Sequence, residues 1–326
     1  MKKPKVSILV PIYNVSDFIE RCAHSLFNQT FKELEFIFVN DCTTDDSIDK
    51  LKKVIIQYPL LKDKIKIIHH QTNKGLASTR NTALDNSSGE YISVVDSDDY
   101  IEVNMIELMY NKAIIEKADI VVSDFMAEYP DKSIYIRDII DVNTKKNFSE
   151  LLKQENTYSC LWNKLITKDL YFRKDCRIPD GLNYTEDLHV LLRLYYFAEK
   201  IVKVDQALYH YVQYNMNAIT KSKQRMHFEN IIFMWNKLDL FLKEHNEFEK
   251  YSHIIELKKV QNKVRLMIDT NSCELRKEFA DIFKEEERNH ISYFRRGERL
   301  MLFLVRKKCF LLAQLFHNLF VFKNKF

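Results

Sequence analysis

The chain of 326 residues is poor in the features that usually punctuate or cross-link a protein, with 4 glycines, 5 prolines and 6 cysteines. The cysteines (Cys22, Cys42, Cys160, Cys176, Cys273, Cys309) are scattered and form no C-x-x-C pair. That spacing excludes a recognisable zinc site or disulfide framework and points to buried thiols in a reducing compartment. No stretch offers the roughly 20 uninterrupted apolar residues that span a bilayer. The segment Met1 to Lys5 leads directly into a strand-like run without the apolar core of a secretory signal, which points away from export. Lys plus Arg exceed Asp plus Glu by only 50 to 46, too small an excess to argue for nucleic-acid binding.

What the chain does have is apolar mass. Hydrophobic residues make up 46% and aromatics 13%, enough to fill a sizeable core and to argue against disorder. The length fits a mid-sized domain with an appendage. In the first half, short buried-strand runs (Val6 to Val10, Phe36 to Val39, Ile65 to Ile68, Tyr91 to Val95, Ile120 to Val122) alternate with helical periodicity over 18–26, 48–55, 76–84 and 105–115. Asn14 is a candidate cap for the first helix. Such alternation predicts an α/β fold with a mostly parallel sheet covered by helices. Residues 148–220 are mixed. Beyond Lys221 there is no strand alternation and no glycine until Gly297, which predicts a helical extension. The expected division is a domain over 1–220 and a helical unit over 221–326.

In a parallel sheet the residues just beyond the strands' carboxyl ends meet the ligand. Here those places hold Tyr13-Asn14, Asn40-Asp41 and Asp96-Ser97-Asp98-Asp99. Clustered carboxylates repel one another unless a cation or hydrogen-bond donors neutralise them. Hard oxygen ligands in small number suit Mg²⁺ or Mn²⁺ shared with substrate phosphates, although D-x-D-D alone more often marks a solvated or helix-capping loop.

The ordered strings Val6 to Asn14, Asn28-Gln29-Thr30-Phe31, Val39 to Asp45, Asn73 to Asn81 and Asp96 to Asp99 resemble the family-two glycosyltransferases of the GT-A fold. The resemblance covers about residues 4–220. It implies inverting transfer from a nucleotide-diphosphate sugar, usually a UDP-sugar, by direct displacement. It assigns donor binding to Pro11, Tyr13, Asp41, Arg80 and Asp96, with Arg80 on the diphosphate, and a divalent metal to Asp98. The second residue of Glu186-Asp187 is the implied base, and Trp162, Lys164 and Glu186 the acceptor side. The residue chemistry is compatible: a tyrosine ring can stack on a base, an aspartate can accept the uracil imide proton, and a guanidinium suits phosphate oxygens.

Several site residues also have a plainer explanation, Tyr13 as an aromatic packed at a strand end among them. Arg80 would pair with Asp85, Trp162 would fill the core, His210 would be a packed histidine and not a metal ligand, and Thr185 with its two acids would cap a helix. The family usually has two aspartates where this chain has Asn40-Asp41, and Gly-Ser where it has Cys42-Thr43. A sugar-nucleotide pyrophosphorylase would carry a glycine-rich loop where Pro11-Ile12-Tyr13-Asn14 stands, and is discounted. A non-catalytic nucleotide-sugar-binding or scaffolding relative is the alternative function.

The last residues, 295–326, set Arg295, Arg296, Arg299, Arg306, Lys307, Lys308, Lys323 and Lys325 against one acid, Glu298, among many leucines and phenylalanines. This composition predicts a basic amphipathic segment on an anionic leaflet, with core packing as the competing use. Combined with the resemblance, it implies a peripheral enzyme at the cytoplasmic face of the membrane, or in the cytoplasm, with a lipid-linked saccharide acceptor. Sugar, linkage and oligomeric state stay open.

Overall fold

The computed structural model describes residues 3–155, 157–173, 175–218, 225–270 and 272–323. They form two compact units, Met1–Ile219 and Thr220–Phe326.

The first unit runs β1 (Val6–Ile12), α1 (Ile19–Phe27), β2 (Leu34–Asn40), α2 (Ser47–Ile56), β3 (Ile65–His69), α3 (Gly75–Asp85), β4 (Tyr91–Val94), β5 (Tyr100–Ile101) and α4 (Met105–Glu116). It continues β6 (Ile120–Glu128), β7 (Ser133–Ile136), α5 (Thr144–Lys153), β8 (Lys164–Thr167), α6 (Lys168–Arg173), α7 (Glu186–Phe197) and β9 (Ile201–Val212). The sheet order is β3-β2-β1-β4-β8-β6-β9-β5, with β7 paired to β6. β3, β2, β1 and β4 are mutually parallel, while β8 runs antiparallel between β4 and β6. All seven residues of β1 are buried, as expected of a central strand covered on both faces. Its register sets Pro11 beside Val39 and Ile12 beside Asn40, so the loops after β1 and β2 leave the sheet side by side.

The expected cap at Asn14 is absent. Helix α1 starts behind Phe18 without a side-chain cap, and Asn14 adopts φ 52° in the loop before it. The predicted strand over Ile120 to Val122 extends to Glu128 by pairing with β9, across a register shift between Ser123 and Phe125.

The second unit contains α8 (Arg225–Glu244), α9 (Phe248–Asp269), α10 (Cys273–Asp281), α11 (Lys284–His290), α12 (Arg296–Arg306) and α13 (Phe310–Lys323), with no strand among its described residues. One core holds it together, built from Val260, Val264, Met267, Phe279, Phe294, Met301, Leu302, Val305 and Ala313. Lys263 and Glu287 pair within it at 2.7 Å. Segment 295–326 is therefore not one membrane-facing helix. α12 turns Met301, Leu302 and Val305 inward, the competing use of the same pattern, whereas Leu311, Leu312 and Leu315 on α13 are exposed. Lys325 lies outside the described residues.

Because Leu302 is fully buried, Leu302→Ala should cost about 2–5 kcal/mol. Urea unfolding followed on the helical signal checks this, and a cost below about 1 kcal/mol would mean that α12 is not a core element.

Candidate active site

The loops beyond β1 and β2 clasp each other through side chains. The Asn14 carbonyl oxygen Oδ1 accepts from Thr43 Oγ1, Thr44 N and Thr44 Oγ1, each at 3.1 Å. Asn40 Oδ1 accepts from Thr43 N at 2.8 Å, the local bonding that replaces the family's usual first aspartate. Tyr13 is 46% exposed in the loop after β1, while Pro11 is buried in the strand.

Asp41 points at the start of α3. Its Oδ1 accepts from Lys74 N at 2.8 Å and its Oδ2 from Gly75 N at 2.8 Å, so the carboxylate lies where a helix N-terminus favours negative charge. Gly75 has φ 84°, and a Cβ there would meet the Asn183 amide at 2.4 Å. Only glycine fits this turn. Asn183 Oδ1 in turn accepts from Ala77 N at 3.0 Å.

Five residues further along α3, Arg80 lies beneath this surface with 4% of its side chain exposed. Its Nη2 donates to Asp96 Oδ1 at 2.9 Å and its Nη1 to Glu186 Oε1 at 2.8 Å and to Asp187 Oδ1. Helix α3, the end of β4 and the start of α7 are thus joined by one guanidinium. This differs from pairing with Asp85, which takes Arg177 at 2.5 Å. Carboxylates engage both terminal nitrogens of Arg80, while its buried Nε has no hydrogen-bond partner among the described residues.

Three carboxylates around one cation leave an excess of negative charge. Burial pushes Glu186 well above the usual carboxylate range, reinforced by repulsion from Asp187 and opposed by Arg80. Asp187 is also pushed up, first by burial, while Arg80 draws it back. Its second oxygen, Oδ2, accepts from Leu161 N at 3.1 Å. Thr185, ahead of α7, adopts φ 67° and makes no side-chain cap, while Glu186 and Asp187 do lie in the first turn of α7, where the helix dipole favours acids. A β-branched residue there is strained, as backbone at functional sites often is.

The Asp96 to Asp99 string divides its carboxylates among different partners. Asp98 Oδ2 accepts from Asn215 Nδ2 at 2.8 Å, and burial together with the charge of Asp96 raises its carboxyl. Asp99 is fully buried and binds Tyr209 Oη and Val212 N, both at 2.7 Å. Asp96 and Asp98 therefore offer hard oxygens in an environment that disfavours two bare charges, which fits Mg²⁺ or Mn²⁺. Among the described residues no three His, Cys, Asp or Glu side chains converge as a protein-only cage. A cation here would complete its shell with substrate or water oxygens.

Two residues expected on the acceptor side are structural. Trp162 is buried, stacked on Tyr209 at 4.3 Å and edge-on to Phe125 at 4.8 Å. Lys164 has no exposed surface and donates to Tyr158 O, Cys160 O and Asn163 Oδ1 at 3.1, 2.8 and 2.7 Å. It ties together the turn before β8. Glu186 remains at the site, held by Arg80. His210 is a packed histidine: it stacks on Tyr100 at 4.2 Å and its nitrogens meet Glu128 and Glu102. No local pattern marks His70, which contacts Asp41 at 2.7 Å, or Asn215. Both partners lie far away in the sequence.

Residues 7–182 match the family model described as glycosyl transferase family 2. The chain belongs to that family. It is 31% identical over 257 residues to the putative glycosyltransferase EpsH of Bacillus subtilis, covering 77% of this chain and 73% of EpsH. It is 34% identical over 224 residues to the uncharacterized glycosyltransferase EpsJ of the same organism, covering 67% and 63%. The fold is shared with S. aureus TarS 1-349 in complex with UDP-GlcNAc, at TM-score 0.63 and 19% identity over 96% of this chain and 90% of TarS 1-349. It is also shared with the mannosyltransferase PcManGT of Pyrobaculum calidifontis in complex with GDP-Man and Mn²⁺, at TM-score 0.54 and 13% identity over 98% and 88%. The chain is thus a GT-A family-two glycosyltransferase.

The raised Glu186–Asp187 pair carries a stability signature. The folded chain retains a proton where the unfolded chain has lost it, so this contribution is present below the ordinary carboxylate range and lost as pH rises through the raised folded value. Glu186→Gln keeps an oxygen for Arg80 without titrating. Its melting temperature should therefore gain on wild type steadily from pH 4.5 to 8, whereas a constant gap would show that Glu186 is not shifted.

Proposed function

We propose that this enzyme is an inverting glycosyltransferase that moves a sugar from a UDP-sugar to a hydroxyl of a saccharide acceptor carried on a lipid, in surface-polysaccharide synthesis. The observation that carries the reading is Asp187, held at the start of α7 by Arg80 and joined through it to Asp96. In the proposed step Asp187 takes the acceptor hydroxyl's proton as that oxygen bonds to the anomeric carbon from the face opposite the diphosphate. The sugar–phosphate C–O bond breaks, and its electron pair leaves with the nucleotide. Arg80 keeps the Asp187 carboxylate aimed and favours its charged form against the effect of burial.

Tyr13 offers its exposed ring to the base, and Asp41 Oδ2 the acceptor for an imide proton. Pro11 shapes the floor under them. The UDP-GlcNAc complex of TarS supports a uridine donor, and the Mn²⁺ complex of PcManGT a metal. Asp98, with Asp96 beside it, would hold the divalent cation, which when bound supplies countercharge for the departing diphosphate.

Membrane association is assigned to α13. Leu311 is 79% exposed, Leu312 and Leu315 lie on the same face, and Arg306, Lys307 and Lys308 are exposed just ahead of them. Apolar side chains beside cations fit the headgroup zone of an anionic leaflet on the cytoplasmic face. No helix among the described residues is long and apolar enough to cross a membrane.

Three measurements test this. Asp187→Asn should lower transfer by roughly 10²- to 10⁴-fold with UDP affinity little changed, and near-normal transfer would retire it as the base. Asp98→Ala should abolish the Mn²⁺-dependent part of UDP binding, an idea that fails if wild type binds UDP equally with and without EDTA. The double variant Leu311→Ser, Leu315→Ser should lose sedimentation with phosphatidylglycerol vesicles at an unchanged melting temperature, and undiminished binding would remove α13 from the membrane.

A further inference from the structure

His70, one residue beyond β3, has both ring nitrogens engaged and 5% of its side chain exposed. Nδ1 lies 2.7 Å from Asp41 Oδ1 and Nε2 2.9 Å from Thr82 Oγ1. Its backbone N also donates to Asn40 O at 2.9 Å, tying it to the residue before Asp41. A carboxylate only accepts, so the proton between His70 and Asp41 belongs on Nδ1, and in a neutral ring Nε2 then accepts from the Thr82 hydroxyl.

Asp41 therefore receives three N–H donors: His70 Nδ1 and Lys74 N on Oδ1, and Gly75 N on Oδ2. Two carboxylate oxygens have about four lone-pair directions, so one is left, on Oδ2. Without His70 the two amides of α3 alone would hold Asp41, with no side chain to stop rotation about its Cβ–Cγ bond. Thr82 lies two residues beyond Arg80 on α3, so the same histidine couples Asp41 to the helix that carries the carboxylate clamp.

We propose that His70 is a positioning residue for nucleobase selection, fixing Asp41 so that its remaining Oδ2 lone pair meets a base with an N–H at that edge. Uracil has that N–H. Cytosine presents a bare ring nitrogen there, which a fixed carboxylate repels and a rotating one tolerates. The inference rests on Asp41 as the base-facing residue.

Two substitutions separate the two contacts of His70. The asparagine amide in His70→Asn sits near the place of Nδ1 and can still donate to Asp41. The longer amide in His70→Gln reaches toward Thr82 instead. Equilibrium binding of UDP and of CDP, both with Mn²⁺, is measured for wild type, His70→Ala, His70→Asn, His70→Gln and Asp41→Asn. His70→Ala and His70→Gln should weaken UDP by about tenfold, the scale of one charge-assisted hydrogen bond, and CDP by much less. His70→Asn should keep the UDP preference. At saturating donor kcat should change little while KM for the donor rises. Equal losses for UDP and CDP, or a failure of His70→Asn to rescue the preference, would overturn the proposal by reducing His70 to a packing role. If Asp41→Asn narrows the UDP-to-CDP ratio and the histidine variants do not, His70 alone is wrong. An unchanged ratio in Asp41→Asn removes the Asp41 reading and the proposal with it. Should His70→Ala not fold, the contrast between His70→Asn and His70→Gln decides alone.

Discussion

The site depends on the burial of Arg80 among three carboxylates. Its partners are 16, 106 and 107 residues away, so one guanidinium brings together the end of β4, helix α3 and the start of α7. Taking these charges out of water is costly, and replacing a buried ion cluster with apolar side chains is often neutral or stabilising. The arrangement is thus better understood through what it positions than through what it stabilises. Without the cation, three neighbouring carboxylates would repel, and protonation or rotation would be their only relief. With it, two of them face the start of α7 and the third reaches the end of the sheet. An arginine suits this place because its planar fork donates in several fixed directions at once.

How much of this was legible in the sequence varies by element. The parallel strands were readable because buried strands are short apolar runs, and their ends were marked by tyrosine, asparagine and aspartate. Asp187 and Arg80 could be named one by one, but not their contact, since nothing in the local pattern of either shows a partner 107 residues away. Lys164 and Trp162 misled for a similar reason. An exposed lysine and one that stitches three acceptors inside a turn look alike in one dimension, and the difference lies in whether the neighbouring backbone turns its oxygens inward. The tail had the same ambiguity: Met301, Leu302 and Val305 share the spacing of a membrane face, and only the presence of Phe279 and Val264 in the same cluster makes them core.

The departures from the family pattern acquire a physical meaning in the structure. Cys42 stands where the family usually has glycine, and it adopts φ 58°, a conformation glycine takes freely and cysteine does not. With Asn14 at φ 52° and Thr185 at φ 67°, the first unit holds non-glycine residues in left-handed conformations at the ends of β1 and β2 and before α7. Each costs on the order of 1–3 kcal/mol and persists only where its surroundings over-determine it. Here the restraint is visible, since Asn14, Asn40, Thr43, Thr44 and Asp45 bond one another across the two loops. The change from aspartate to Asn40 fits this scheme: an amide accepts from Thr43 N through Oδ1 and also brings Nδ2 within 3.1 Å of His69 Nδ1, a contact it can make by donating, whereas a carboxylate there would need the proton on Nδ1.

The string Asp96-Ser97-Asp98-Asp99 shows how one short motif is divided between scaffold and chemistry. Asp99 is fully buried and answers to Tyr209 and Val212, fixing the loop against β9. Tyr209 receives Asp96 N at 3.1 Å through the same hydroxyl, and Trp162 stacks on its ring, so core packing sets the height of the loop. Asp96 is oriented from the other side by Arg80. That leaves Asp98, whose side chain, among the described residues, is held by the neutral amide of Asn215 and whose carboxyl is raised by burial and by Asp96. A neutral donor is easily exchanged, and a carboxyl that resists ionisation next to another carboxylate gains most when a cation arrives. Of the three acids, the one least committed to protein partners is therefore the one best placed for a metal, and its readiness follows from how firmly the other two are held.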